Sequence, residues 1–446
     1  MKDWLPSDHL AYFIIALIPQ FDLKPIYAKF KNQFGAPAFR PEVMVAIWLY
    51  AYCVGIRSSR RVMKELVEDV AFRVVAGNQQ PDFRTLNEFR RKHHKILAGL
   101  FIKTVQMAQK AGLVKMGHIA IDGTKIKANA SKHSAMSYGR MKEEEERLRK
   151  EIERWFEEAD AIDAAEDELY GDKAGWELPE HLSTQEKRLE AIQKAMKELE
   201  EEAKQAAAEE ERKKQEEKAK RRTHEEKRKQ RREEKKQKKG KNNPASPEPD
   251  PKAQRNFTDS ESRIMLNSEK TFIQGYNAHA AVDAETQIIV AADLTNQAGD
   301  SPHLPPLVKQ ATENTGQAPA EASADAAYCS EDNLKFLEDS GIEAFIPPNK
   351  VKHNEWREAK PVRGRTPKNL SRRQTMKRKL LTKRGKERYK LRMTSVEPVF
   401  GQIKEARGLR QFLHRGLEKV HSMWLFECAA HNIMKMFRAG VVLNPV

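Results

Sequence analysis

Cysteine and long apolar runs are both scarce in this sequence of 446 residues. The three cysteines, Cys53, Cys329 and Cys428, stand far apart and form no CxxC or Cys/His ligand pattern. The sequence therefore predicts neither a disulfide framework nor a structural zinc site. The most apolar early run, Leu10 to Ile18, is too short to span a bilayer and follows acidic rather than basic residues. These absences favour a soluble protein of a reducing cytoplasm, without a targeting signal or a membrane partner.

Basic charge, in contrast, is abundant and concentrated in one place. The formal net charge is +16, and 33% of the residues are charged. A charge of this size attracts a polyanion, either nucleic acid or an anionic membrane surface, and nucleic acid is the commoner partner. Residues Pro361 to Arg392 contain fourteen Lys or Arg against one acid, Glu387, so most of the excess is local. The alternative interpretation of this run is a disordered basic loop.

The first 112 residues favour helices, because apolar residues recur at steps of three and four, as between Val43 and Val54. Within them, Thr85 to Glu88 has the form of a capping box and predicts the start of a helix. That helix would carry Arg90 and Arg91, and it is a candidate for contacting DNA. A basic surface helix packed on its neighbours is the equal alternative.

A strand is predicted at Gly117 to Ala128, where β-branched residues alternate with small or polar ones. A long charged segment, residues 139–254, then interrupts the pattern. Its heptad spacing from Leu189 to Ala203, together with an earlier apolar stripe from Leu148, predicts two helices folded back as an antiparallel coiled coil. The segment closes in a proline-rich spacer.

Strand patterns return after the charged segment. Tyr276 to Val282 and Gln287 to Leu294 predict a hairpin, and Glu321 to Tyr328 and Glu343 to Pro347 predict two further strands separated by a helix. With the strand that contains Asp122, this gives five strands. The expected fold is a mixed sheet with helices on its faces.

Two aspartates, Asp122 and Asp325, stand where strands run into turns or helices, which is where open α/β sheets place functional groups. Aspartate also ends strands simply as a turn former or helix cap, so neither is decisive alone. A third acid, Glu397, follows the basic run, with Arg392 before it and Lys404 after it. Three acids with basic flanks suit phosphodiester chemistry, since two Mg²⁺ ions on carboxylates stabilise both oxygens of an in-line displacement.

Several strings in the sequence resemble one family: IDGTKIKANAS, FIQGYNAHAAVD, SADAAYCS and SVEPVFGQIKEARGLRQFLHRGLEKV. They are similar to the DDE transposases of insertion sequences, and the resemblance covers essentially the whole chain. It implies that Asp122, Asp325 and Glu397 are the catalytic acids and hold two Mg²⁺ or Mn²⁺ ions. Glu387, Glu405 and Glu418 compete for the third place, but only Glu397 begins the helical periodicity that would seat its helix against the sheet.

The family signature around the third acid is a Tyr, Arg, Glu, Lys series, which Tyr389, Arg392, Glu397 and Lys404 resemble. Four residues, rather than the family's three, separate Arg392 from Glu397. The resemblance implies that Tyr389, Arg392 and Lys404 contact DNA at the transposon end, with the two basic groups bound to its phosphates, a role that suits guanidinium and ammonium groups.

The resemblance also implies an organisation. A helical, DNA-binding N-terminal domain would span residues 1–112, a ribonuclease H-like catalytic domain with a five-stranded mixed sheet would span 113–138 and 255–446, and the coiled-coil insertion would span 139–254. The expected partners are double-stranded DNA at terminal inverted repeats and target sites, and a second copy of the chain assembled on DNA, in the bacterial nucleoid. A structure-specific nuclease on the same fold and a catalytically inactive DNA-binding scaffold remain as alternatives.

Overall fold

The computed structural model describes residues 4–28, 39–170, 180–228, 248–267, 269–349, 367 and 369–443. The chain forms two compact units: Met1–Ala130 with Ser262–Val446, and Ser131–Glu261. None of the helices within those described ranges is long and apolar enough to cross a membrane.

The first unit opens with helices, as the apolar periodicity predicts. They are α1 (Leu10–Leu17), α2 (Lys24–Tyr27), α3 (Pro41–Cys53), α4 (Ser59–Glu68), α5 (Val70–Val75) and α6 (Phe83–Lys110). Helix α3 is apolar almost all round and almost completely buried, so it forms the centre of this region. Helix α6 begins before Thr85, contrary to the capping-box prediction. Asp82 caps it, because its carboxylate accepts the N–H groups of Arg84 and Thr85.

One mixed sheet follows in the same unit. Its strands are β1 (His118–Lys127), β4 (Arg263–Leu266), β5 (Phe272–Asp283), β6 (Ile289–Thr295), β7 (Glu321–Ala324) and β8 (Glu343–Phe345), while a separate pair, β2 (Ala135–Ser137) and β3 (Gln254–Asn256), belongs to the second unit. Strand β1 pairs antiparallel with β5 and parallel with β7.

The sheet has six strands, so the predicted five is wrong by one. The additional strand is β4, which pairs with the first residues of β5, while β6 pairs with the later ones. Only Ile264, Met265 and Leu266 mark β4 as apolar, and the preceding residues are polar. Its pairing partner rather than its own sequence pattern therefore makes it a strand.

Helices cover the sheet. Helix α9 (Leu304–Thr315) packs against β6, and α10 (Glu331–Asp339) packs against β8. In the described part of the basic run, helices α11 (Arg372–Leu380) and α12 (Lys383–Thr394) form, followed by α13 (Val396–Gly401), a π-helix at Gln402–Ala406 and α14 (Leu417–Arg438). Helix α14 lies against α3, α6 and β6, so one apolar core joins the N-terminal helices to the sheet.

A charged cluster lies inside that core. Glu427 on α14 is fully buried and accepts hydrogen bonds from two arginines: Arg57 Nε and Nη2 at 2.9 and 2.7 Å, and Arg407 Nε at 2.9 Å. Arg57 also donates to the Arg407 carbonyl at 2.6 Å. The cluster fixes the segment after the π-helix to the turn that precedes α4.

The second unit contains α7 (Tyr138–Tyr170) and α8 (Glu180–Arg228). Contacts between the two helices run in opposite order along the chain, with Tyr138 bonded to Glu200 and Glu144 paired with Arg188. The helices are therefore antiparallel, as predicted. A small core holds them together: Tyr138, Met141, Leu148, Ile192, Ala195, Met196 and Leu199.

Candidate active site

The two aspartates lie side by side on the sheet. Ile121 on β1 and Ala324 on β7 are partners in the parallel pairing, and Asp122 and Asp325 are the residues that follow them. Asp325 comes directly after β7, as predicted, but β1 continues to Lys127, so the prediction that Asp122 stands at the end of its strand is wrong. Asp325 is also the N-cap of a 3₁₀ turn, Ala326–Tyr328, and its Oδ1 accepts the Ala327 N–H at 2.9 Å. Its capping role, the alternative that the sequence left open, therefore coexists with a position beside Asp122.

Arg392 connects the first and third acids. Its Nη1 lies 2.7 Å from Asp122 Oδ2, and its Nη2 lies 2.7 Å from Glu397 Oε1. The side chains of Arg392 and Asp122 are 14% and 18% exposed, and that of Glu397 is 43% exposed. Of the three side chains, Glu397 is therefore the most accessible to solvent. Glu397 is the second residue of α13 and follows by two residues the break in the helical backbone at Ser395, which separates α12 from α13.

Burial raises the pKa of Asp122 to about 6. The neighbouring Arg392 guanidinium opposes this rise in pKa, whereas the negative charges of Asp325 and Glu397 add to it. Asp122 thus stays partly protonated near neutral pH because one guanidinium does not compensate for burial and two nearby carboxylates. Additional positive charge at this place would stabilise the ionised form.

Tyr389 and Lys404 complete the predicted set. Tyr389 lies on α12 beside Arg392, and burial raises the pKa of its hydroxyl. Lys404, in the π-helix, places its Nζ 3.2 Å from Thr124 Oγ1. Thr124 follows Asp122 by two residues on β1, so both side chains leave the strand on the same face. The structure thus brings six of the eight predicted residues together: Asp122, Asp325, Tyr389, Arg392, Glu397 and Lys404.

The other two predicted residues lie on α6. Arg90 is only 4% exposed; its guanidinium lies 4.2 Å from the Trp48 ring centroid, and its Nη1 donates to the Arg57 carbonyl at 2.7 Å. A buried side chain with these partners packs helices together, so the prediction that Arg90 contacts DNA needs correcting. Arg91, the next residue, is exposed.

The arginines of α12 form a stripe at four-residue spacing. Arg384 Nη2 lies 2.9 Å from Glu321 Oε1, and Arg388 Nε lies 3.2 Å from Glu321 Oε2. Arg392 continues the stripe to Asp122. Part of the basic run therefore neutralises carboxylates of the sheet, which the count of charges in the sequence could not show.

The donor chemistry of the three acids suits a hard divalent cation, since such ions take carboxylate oxygens. Among the residues with described placement, however, no group of three or more His, Cys, Asp or Glu side chains converges closely enough to hold a metal ion. The reason is visible in the contacts: a guanidinium stands between Asp122 and Glu397. The oxygen donors fit a metal, and a positively charged group already occupies part of their surroundings.

Sequence reasoning missed a layer beneath the aspartates. His279 on β5 is fully buried, and its Nδ1 lies 2.7 Å from the Tyr328 hydroxyl, at the end of the turn that Asp325 caps. Gly123 faces this ring, because a Cβ there would lie 2.9 Å from His279 Nδ1. The signal available in the sequence was a histidine among the small and apolar residues Ala278 to Val282. The bond joins the turn that Asp325 caps to β5, the strand that pairs with β1 beside Asp122.

Two family models match the chain. Residues 259–433 match a family described as Transposase DDE domain, and residues 1–92 match one described as Transposase domain (DUF772). The first segment includes Asp325 and Glu397, while Asp122 lies between the two segments. No curated protein and no solved structure matches the chain significantly.

A mixed sheet flanked by helices, with acids on neighbouring strands, fits the fold of the matched catalytic domain. The chain is a DDE transposase. It is the transposase of an insertion sequence, and it catalyses metal-dependent phosphoryl transfer on DNA, namely cleavage at the transposon ends and strand transfer into target DNA. The nuclease and scaffold alternatives are therefore set aside.

Proposed function

We propose that Asp122, Asp325 and Glu397 are the catalytic acids and the metal ligands of this transposase. The observation that carries the proposal is the register of β1 and β7, which sets the two aspartates next to each other, together with the Arg392 bridge to Glu397. The bound metal is Mg²⁺ or Mn²⁺, in two copies. Such ions activate the attacking oxygen and stabilise the leaving oxygen of an in-line displacement.

The chain's own residues then orient the DNA. Lys404 and Arg392 bind phosphates of the transposon end, and Tyr389 contacts the same strand from α12. The place of Lys404 beside Thr124 supports this role, because its ammonium group lies on the face of β1 that carries Asp122. No protein nucleophile is needed, since water attacks first and the freed 3′-hydroxyl attacks target DNA afterwards.

The Tyr, Arg, Glu, Lys series assigns the chain to the corresponding subtype of DDE transposases. Three contacts support this assignment. Tyr389 lies beside Arg392, Arg392 is bonded to Glu397, and Lys404 is bonded to Thr124, two residues after Asp122. The additional residue between Arg392 and Glu397 is accommodated by the break at Ser395, which separates their helices.

The finer organisation follows the same proposal. Residues 1–112 form a helical domain that helps to recognise the terminal repeats, in part through the exposed Arg91. Residues 113–138 and 255–446 form a ribonuclease H-like domain, and residues 139–254 form a coiled-coil insertion. Two copies of the chain assemble on DNA, because a transposon has two ends to be cut and joined, and they act in the bacterial nucleoid.

The test replaces Glu397 by Gln, which preserves size but removes the charge that a metal needs. Nicking of a terminal-repeat duplex should fall by several orders of magnitude, while binding of the same duplex, dominated by Lys and Arg, should persist. Glu405→Gln is the matched control, because Glu405 lies in the same segment but pairs with Arg410 at the surface. Near-normal nicking by Glu397→Gln, or selective loss in Glu405→Gln, would overturn the assignment.

A further inference from the structure

The guanidinium of Arg392 lies where a divalent metal ion would be expected to bind. Its two terminal nitrogens each lie 2.7 Å from a carboxylate oxygen, one on Asp122 and one on Glu397. A planar guanidinium with donors on both sides can keep two carboxylates apart while neutralising part of their charge. A divalent ion shared by the same oxygens would have to occupy this space.

The hydrogen-bonding capacity of Arg392 is not fully used in this position. Arg392 Nε is buried and has no hydrogen-bond partner in the part of the chain that the structure describes. Burying such a donor without a partner costs free energy. Negative charge is also in excess, because Asp325 lies beside Asp122, and the other cation of the site, Lys404, bonds to the Thr124 hydroxyl.

We infer that Arg392 and the divalent metal compete for Asp122 and Glu397, and that a phosphate of the transposon end withdraws the guanidinium so that the metal can enter. The inference rests on the proposed metal ligands and on the proposed phosphate contact of Arg392. A phosphate offers two acceptor oxygens to one guanidinium, so a single bidentate partner can replace the two separate contacts to Asp122 and Glu397. Glu397 is the exposed end of the bridge, where DNA has access.

Thermodynamic linkage then makes the binding of DNA and the binding of metal cooperative. If DNA raises the affinity for metal by a given factor, metal must raise the affinity for DNA by the same factor. The protein would bind metal weakly in the absence of DNA and tightly once a terminal repeat is seated. Metal-dependent cleavage would thereby be restricted to chains that already hold a transposon end.

The test measures Mn²⁺ binding by calorimetry and by electron paramagnetic resonance, first without DNA. Arg392→Ala should bind Mn²⁺ about tenfold more tightly than the unaltered chain, a change within the usual range of coupling between sites. Arg392→Gln, which keeps more of the side-chain volume, should shift affinity in the same direction. Arg388→Ala is the matched control, because Arg388 lies one turn earlier on α12 and pairs with Glu321 instead. Circular dichroism checks that all variants are folded.

The second arm adds a duplex copied from the DNA that flanks the gene, before nicking becomes detectable. The duplex should tighten Mn²⁺ binding to the unaltered chain and to Arg388→Ala, but should have little effect on Arg392→Ala. If both Arg392 variants bound Mn²⁺ no more tightly than the unaltered chain without DNA, while Asp122→Asn abolished binding, this inference would be overturned. The proposed metal ligands would still stand. Mn²⁺ binding unchanged by Asp122→Asn in every background would overturn the proposed ligands and, with them, this inference.

Discussion

Two arginine and carboxylate clusters in the same compact unit differ in how their charges are balanced. Around Glu427, two arginines serve one fully buried carboxylate, and each carboxylate oxygen has an arginine donor. Around Arg392, one arginine serves two carboxylates, a third lies close by, and the arginine Nε has no partner in the described structure.

The difference separates a structural ion cluster from a functional one. A buried charge is tolerated when its partners and hydrogen bonds are complete, as they are for Glu427. An incomplete cluster with excess negative charge instead retains affinity for a further cation. Burial raises the pKa of Asp122 first, and the charges of Asp325 and Glu397 add to the rise. Substitutions in the two clusters should therefore change stability in opposite directions.

The largest effect is expected at Glu427. Glu427→Gln removes the charge that Arg57 and Arg407 share inside the core, leaving two buried cations without compensation. The free energy of unfolding should fall by about 3–5 kcal/mol, measured by urea denaturation. The control is Glu405→Gln, which alters an exposed ion pair and should change stability little. If Glu427→Gln lowered the free energy of unfolding as little as the control, the Glu427 and Arg392 clusters would not differ in the way described.

The opposite sign is expected at Asp122. Asp122→Asn removes a carboxylate whose pKa is raised to about 6 in the folded chain, above its ordinary value of 3.8. Such a group favours the folded state below its unfolded pKa and loses that contribution as the pH rises through the folded pKa. The variant should be more stable than the unaltered chain at pH 7 by about 3 kcal/mol. Urea denaturation across this range should show the gap closing as the pH falls from 7 towards 4; a variant less stable at pH 7 would contradict the comparison.

A smaller effect is expected beneath the aspartates. Tyr328→Phe removes the hydroxyl that pairs with His279 and should lower the free energy of unfolding by about 1 kcal/mol. Because this bond fixes the turn that Asp325 caps to β5, the neighbour of the strand that carries Asp122, Mn²⁺ affinity should fall as well. Tyr27→Phe, which loses a bond to Glu42 at the surface, is the control and should leave Mn²⁺ affinity unchanged. Equal Mn²⁺ affinity in both variants would limit Tyr328 to packing.

The strands that carry the two aspartates could be predicted because their signal is local. Alternating β-branched residues around Asp122 and small residues before Asp325 mark two strands, and parallel pairing of those strands brings the aspartates together. The end of β7 lies at Asp325, but β1 continues past Asp122 to Lys127. The additional strand β4 had only three apolar residues and depends on its pairing with β5. Its existence is decided by a contact that no local pattern contains.

The Arg392 bridge could not be predicted from the sequence for a geometric reason. In one continuous helix, side chains five residues apart point about 140° from each other. Arg392 and Glu397 would therefore not be able to form an ion pair. The backbone break at Ser395 reorients α13 and brings them together. Arg90 illustrates the same limit, since its burial depends on Trp48, which is distant in the sequence and adjacent only in the fold.

The short ladder of β2 and β3 has a consequence for the kinetics of folding. Strands β1 and β5 are neighbours in the sheet but are separated in the chain by the whole second unit, and pairing them directly would require closing a very long loop. When Ala135–Ser137 pairs with Gln254–Asn256 and α7 packs on α8, only short connecting segments remain to be closed. Early formation of the α7–α8 pair, closed by the β2–β3 ladder, would therefore reduce the entropic barrier to assembling the sheet, since that barrier grows with the length of free chain.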